Sequence, residues 1–111
     1  MPRKITLTSV DLNYYGAIGM QFEQQVVDGD ITVPQTNVRR MVMPDQDIDA
    51  NCDDLDAYFT QIGYPTIMAH DRTLIHAVRA AAEANPDIMA AKQKWIEQQA
   101  ANAPPVAEPV P

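Results

Sequence analysis

The chain has 111 residues, with 15 acidic side chains against 8 basic ones for a net charge of −7; 46% of its residues are hydrophobic and only 6% aromatic. One domain fits that length and two independent cores do not. A surface this acidic repels phosphate on average, which speaks against direct contact with nucleic acid and against an anionic membrane face. Cys52 is the single cysteine, so neither a disulfide within the chain nor a cysteine-rich zinc site is available. The start Met1-Pro2-Arg3-Lys4-Ile5-Thr6-Leu7 is not followed by the apolar run of a secretory signal. The longest apolar stretches also fall short of the roughly 18 residues that span a bilayer. The expected location is the cytoplasm or a particle assembled there.

Residues 3 to 43 read as strands. Ile5 and Leu7 alternate with polar residues, as do Met20, Phe22 and Val26 against Gln21, Glu23 and Gln25. Asp28-Gly29 then stands between Val26-Val27 and Ile31-Thr32-Val33, the signature of a hairpin in which Asp and Gly take the positive φ angles of a type I′ turn. Val38, Met41, Val42 and Met43 suggest a further strand, with Pro34 marking an edge or a bend.

After Pro44 the period changes to that of helices. Cys52, Leu55, Tyr58, Phe59 and Ile62 line one helical face, which Gly63 and Pro65 terminate. From Asp71 to Ala84 the set Leu74, Ile75, Val78, Ala81 and Ala82 forms an apolar face, leaving Arg72, His76, Arg79 and Glu83 for solvent. Asn85-Pro86-Asp87 is a helix start, since Asn caps, Pro suits the first position and Asp complements the dipole. The helix it opens runs to about residue 100, with Ile88, Met89, Trp95 and Ile96 as its expected buried face. Strands first and helices second predict an α+β fold: a small antiparallel sheet packed by about three C-terminal helices. This single domain occupies residues 1–102, with strands in 3–43 and helices in 52–100. Residues 103–111, with Pro104 and Pro105, read as an extended Pro-rich arm.

The acidic surplus is local. Six of the acids lie between Asp45 and Asp56, and no Lys or Arg occurs between Arg40 and Arg72. Asp45, Asp47, Asp49, Asp53 and Asp56 fall at the first, third, fifth, ninth and twelfth places of a twelve-residue frame, which resembles an EF-hand loop and implies calcium as a candidate ligand. Ala50 stands where that loop needs glycine, and Asp56 where it needs the longer Glu. The plainer expectation is one aspartate capping a helix and others in its first turn. Clustered exposed aspartates also lack the apolar pocket that separates the pKa values of a general acid/base pair.

His70 and His76 are rotated by about 240° from one another on a regular helix and cannot chelate one ion together. Cys52, at an apolar helical position among aspartates, reads as a buried, inert thiol. No nucleophile elbow, Walker loop or dinucleotide-binding glycine pattern occurs. Tyr14-Tyr15 and Arg39-Arg40 are residue types favoured at protein interfaces, and alternation along a strand turns one member of each pair outward.

The expected role is therefore not enzymatic and needs no cofactor: a structural or accessory subunit of a larger protein assembly, with a virus particle of the phage kind as one setting. Its partners are other protein chains, in a homo-oligomer or a mixed assembly, through Tyr14, Tyr15, Arg39, Arg40, Pro104 and Pro105. Two other readings follow from the acidic run: a small calcium-binding module using residues 45–56, and an acidic mimic of a polyanion that blocks a nucleic-acid-binding protein.

Overall fold

A computed structural model describes residues 2–102; Met1 and residues 103–111, including Pro104 and Pro105 of the expected arm, lie outside the described residues. Strands β1 (Arg3–Leu12), β2 (Ile18–Asp28) and β3 (Ile31–Val42) precede helices α1 (Ile48–Gln61), α2 (Ala69–Glu83) and α3 (Pro86–Asn102). The strands form one antiparallel sheet of order β1-β2-β3. The fold is α+β.

Period-two patterning puts Ile18, Met20 and Phe22 of β2 on the face that meets the helices, joined by Ile5 and Val42 from the flanking strands. Ile48, Cys52, Leu55 and Phe59 of α1 and Ile75 of α2 cover them, and Ile67 closes one end. Phe22 and Phe59 meet edge to face, their ring centroids 5.9 Å apart. Each such large side chain contributes about 1.5–3 kcal/mol by leaving water. Gln24 continues the buried row of β2, a polar residue where alternation alone asks for an apolar one.

Two irregularities shape the sheet. In β1, Leu7 pairs with Phe22 and Ser9 with Gln21, so Thr8 is an extra residue; its Oγ1 donates to the Gln21 carbonyl at 3.2 Å. Residues facing the helices thus change parity, from Ile5 and Leu7 before Thr8 to Val10 after it. In β3, Glu23 pairs with Asn37 and Gln25 with Pro34, so two residues oppose Gln24. Pro34 therefore does not split this segment in two: β3 is continuous through it, because an edge strand with a bulge tolerates a residue that cannot donate.

The β2–β3 turn differs from the expected one. Asp28 and Ile31 form the last pair, so the two-residue loop is Gly29-Asp30. Gly29 has φ +61° and Asp30 does not have positive φ, the pattern of a type II′ turn, which asks for glycine only at its first position.

The first helix begins four residues earlier than its apolar face suggests. Asp47 is its N-cap, Oδ2 accepting from Ala50 N at 2.8 Å, and residues 48–51 form the opening turn. At its other end Gly63 N donates to the Thr60 carbonyl and Tyr64 N to the Phe59 carbonyl, the two bonds of a Schellman ending, with Gly63 at φ +86°. Asn85 caps α3 through bonds from Asp87 N and Ile88 N. None of the α3 residues is buried: Ile88, Met89 and Trp95 are half-buried and Ile96 is exposed. The expected buried face is not formed because α3 lies beyond the sheet, where Ile88 meets Gly16 and Tyr15 stacks on Trp95 with centroids 5.6 Å apart.

Candidate functional site

The seam between α1 and α2 brings three aspartates, two arginines and a histidine together. Asp49, Asp53 and Asp56 stand at helical spacings of four and three on α1, and Arg72, His76 and Arg79 repeat those spacings on α2. Arg72 Nη2 donates to Asp56 Oδ2 at 2.6 Å and to Asp53 Oδ1 at 2.8 Å, while its Nη1 reaches Asp49 Oδ1 at 3.4 Å. His76 Nε2 lies 2.9 Å from the same Asp49 oxygen. Arg79 donates to the carbonyls of Gln46 and Met43, tying α2 to the segment that enters α1. Of the residues expected to face solvent on α2, Arg72, His76 and Arg79 thus form a contact face, while Glu83 is exposed as expected.

These pairings account for the shifted titrations. The hydrogen bond from His76 holds the Asp49 carboxyl below its ordinary value. Bonds to Asp53 and Asp56 push the Arg72 guanidinium up, so it stays charged at any accessible pH. Burial pushes the Cys52 thiol up, and the neighbouring aspartates add to that while Arg72 opposes it. Cys52 is free and buried, as its apolar helical position predicts.

Of the five aspartates in the calcium frame, Asp49, Asp53 and Asp56 converge, and they converge on a guanidinium. Asp47 is spent on the helix backbone and Asp45 is exposed in the connection before it. The twelve residues are not a loop, since all from Ile48 onward are helical. Among the described residues, no group of three or more His, Cys, Asp or Glu side chains is placed to hold a metal ion. Asp54 leaves the run on another side, meeting Arg40 Nη2 at 2.6 Å. Apart from the exposed Asp45, the acids of the run are therefore divided among a backbone cap, α2 and β3.

No family model, curated protein or solved structure matches this chain.

The four expected interface residues within the described range divide by partner. Arg40 faces the helices and binds Asp54 and Asn51, whereas Arg39, its neighbour in β3, is exposed. Tyr14 and Tyr15 lie in the β1–β2 turn, not in a strand; Asn13 Oδ1 organises that turn by accepting from Tyr15 N and Ala17 N. Tyr15 packs on Trp95, and Tyr14 is 77% exposed.

The side of the sheet away from the helices is mainly polar, with Met41 of β3, 51% exposed beside Gly19, as an apolar exception. Thr6 Oγ1 donates to Gln25 Oε1, and Gln25 Nε2 to Glu23 Oε1. Exposed apolar side chains stand at two margins of the sheet. Ile31 and Val33, 64% and 40% exposed, extend the β2–β3 hairpin past the helices. On the opposite margin Leu74, 51% exposed, stands with Val78 beside β1, and the two line a trough of about 270 Å³ with Leu7, Thr8, Ser9 and Val10. Sequence periodicity assigns Leu74 to the core along with Ile75. With α2 lying along the β1 side, only Ile75 points inward, and nothing in the helical period reveals which flank a sheet this narrow leaves uncovered. No helix among the described residues is long and apolar enough to cross a membrane.

Proposed function

We propose that this chain is a non-enzymatic structural or accessory subunit of a larger protein assembly, working through protein–protein contacts in the cytoplasm or within an assembled particle. The observation that carries this reading is the β2–β3 hairpin, whose Ile31 and Val33 are exposed at the end of a strand that forms one edge of the sheet. Edge strands with apolar side chains are templates for further pairing, and soluble monomers normally blunt them. The non-enzymatic part is supported by Cys52, the single thiol, being buried with its pKa raised. The calcium-module and polyanion-mimic readings fit less well with carboxylates already matched to Arg72, Arg40 and a helix N-terminus.

Light scattering on the full chain, together with its suspected particle components, tests the role. The expected result is a stable higher-mass species that the double variant Ile31→Asp/Val33→Asp dissolves while its thermal melt stays sharp. An unaltered complex in that variant removes the hairpin from the assembly. For the phage-like setting, the corresponding measurement is the chain's copy number in purified particles, where absence decides against it.

A further inference from the structure

We infer that the outer edge of β1 binds a second copy of this chain, antiparallel and across a two-fold axis near Leu7 and Thr8, giving a six-stranded sheet. The inference deepens the subunit reading above by naming one partner and one surface. Three observations lead to it.

The first is charge. The β1 strand carries Lys4 near its beginning and Asp11 near its end. An antiparallel copy that sets Ile5 opposite Val10 also sets Lys4 opposite Asp11, and the two-fold repeats both pairs. The other free edge lacks this property: β3 carries Arg39 and Arg40 but no acidic residue. Opposite charges directly across a pair of strands are favourable and like charges are not.

The second is parity. Partners across a two-fold perpendicular to a sheet lie on the same face, yet in a strand of unbroken alternation residues 4 and 11 lie on opposite faces. The bulge at Thr8 removes the conflict. Ile5 and Val10 both face the helices, being paired to Gln24 and Met20, while Lys4 and Asp11 both face away, being paired to Gln25 and Gly19. A bulged edge fits poorly against a straight strand and so discourages unrelated partners. A second β1 brings the same bulge to the same place.

The third is the apolar margin above that edge. Leu74 and Val78 of α2 stand over β1 and line the trough with Leu7 and Val10. Joining two β1 strands places the two α2 helices beside one another over the junction, so the exposed Leu74 of each copy gains an apolar neighbour. Both β3 edges and both hairpin tips remain free at the far ends of the extended sheet.

Sedimentation velocity of the full chain at low ionic strength provides the test, since exposed charges are least screened there. The wild-type chain is expected to be a dimer. Asp11→Lys and Lys4→Asp each place like charges opposite one another twice, and each is expected to raise the dimer dissociation constant about tenfold or more. An equimolar mixture of the two variants restores complementary pairs, and a heterodimer is expected to form. Leu74→Arg is expected to give a folded monomer. A wild-type chain that stays monomeric overturns the inference, as does a dimer indifferent to both charge reversals or a mixture that fails to associate. Should Ile31→Asp/Val33→Asp dissolve the association while the β1 variants leave it intact, self-pairing through β1 is wrong and the subunit role stands on the hairpin.

Discussion

Asp56 and Arg72 meet at 2.6 Å through Oδ2 and Nη2, while the other oxygen of the same carboxylate accepts from Ile67 N at 2.7 Å. One side chain thus fixes both the backbone of the α1–α2 connection and the side chain that draws α2 onto α1. Arg72→Met removes the guanidinium and leaves Asp56, largely shielded, beside Asp53 with no cation. The expected loss is about 1–2 kcal/mol, since charged hydrogen bonds contribute on that scale and the exposed partners Asp49 and Asp53 add little. Arg72→Lys restores only part of it, because lysine lacks the second nitrogen that reaches Asp49 while Nη2 holds Asp53 and Asp56. Urea titration of the three proteins orders them wild type, Lys, Met; equal midpoints for all three show that the seam does not hold the helices.

Asp49 gives the seam a dependence on pH. Its hydrogen bond to His76 favours the carboxylate in the folded state, so the folded value lies below the ordinary 3.8. The stabilisation is complete above that ordinary value and disappears as pH falls through the lowered one. Asp49→Asn is therefore expected to lower the melting temperature near neutral pH and to lose its effect in strong acid. A difference from wild type that persists well below 3.8 assigns the effect of the substitution to packing.

The seam was written in the sequence as two matching sets of spacings, Asp49, Asp53 and Asp56 against Arg72, His76 and Arg79, although each helix taken alone makes its charged set look solvated. Alternation and helical period were enough for β2, for Cys52, Leu55 and Phe59 of α1 and for the restart at Asn85, because these depend on local pattern; Tyr58 and Ile62, which the same period places on that face of α1, are exposed, since they lie at its flank and end. Bulges were not legible: the change of parity at Thr8 is visible only once β1 has β2 beside it. Nor was the exposure of Leu74, which depends on how far a three-stranded sheet extends beneath α2. The type II′ loop at Gly29-Asp30 turns on a shift of one residue in register, which Asp28-Gly29 alone does not reveal.

Glycine is required at Gly63 more than at Gly29. Both have positive φ, yet a Cβ at Gly29 would meet nothing within 4 Å, whereas one at Gly63 would lie 2.5 Å from Arg3 Nη1. That Arg3 nitrogen donates to the Ile62 carbonyl at 3.1 Å and joins β1 to the end of α1. Gly29→Ala is expected to cost about 1 kcal/mol from the backbone alone, and Gly63→Ala a few tenths of a kcal/mol more, because the flexible end of Arg3 must also give up its exposed bond to the Ile62 carbonyl. Chemical denaturation of the two variants reads the difference, and equal losses would mean that Arg3 relocates without cost.

Calcium has little to gain from the carboxylates of α1 while Arg72 occupies their centre. Addition of millimolar calcium, or its removal by a chelator, is expected to leave the melting temperature unchanged. A rise on adding calcium requires Arg72 to swing away, and Arg72→Met is then expected to enlarge that rise.

Cys52 reports on whether the α1 face opens. Its side chain is fully buried among Phe59, Leu55 and their neighbours, and burial raises its thiol pKa, so both access and thiolate population are low in the native state. Reaction with a thiol-specific reagent at neutral pH is expected to proceed only through transient opening, about a hundredfold or more slower than for the chain unfolded in urea. Because Arg72 closes the seam beside this residue, Arg72→Met is expected to speed labelling by the factor its loss of stability implies, about tenfold for each 1.4 kcal/mol, if exposure of the thiol requires global unfolding. Acceleration without loss of stability identifies a local opening of α1 from α2. Rapid labelling of the wild-type chain, at the rate of a free thiol, contradicts the packing of Cys52 against the sheet.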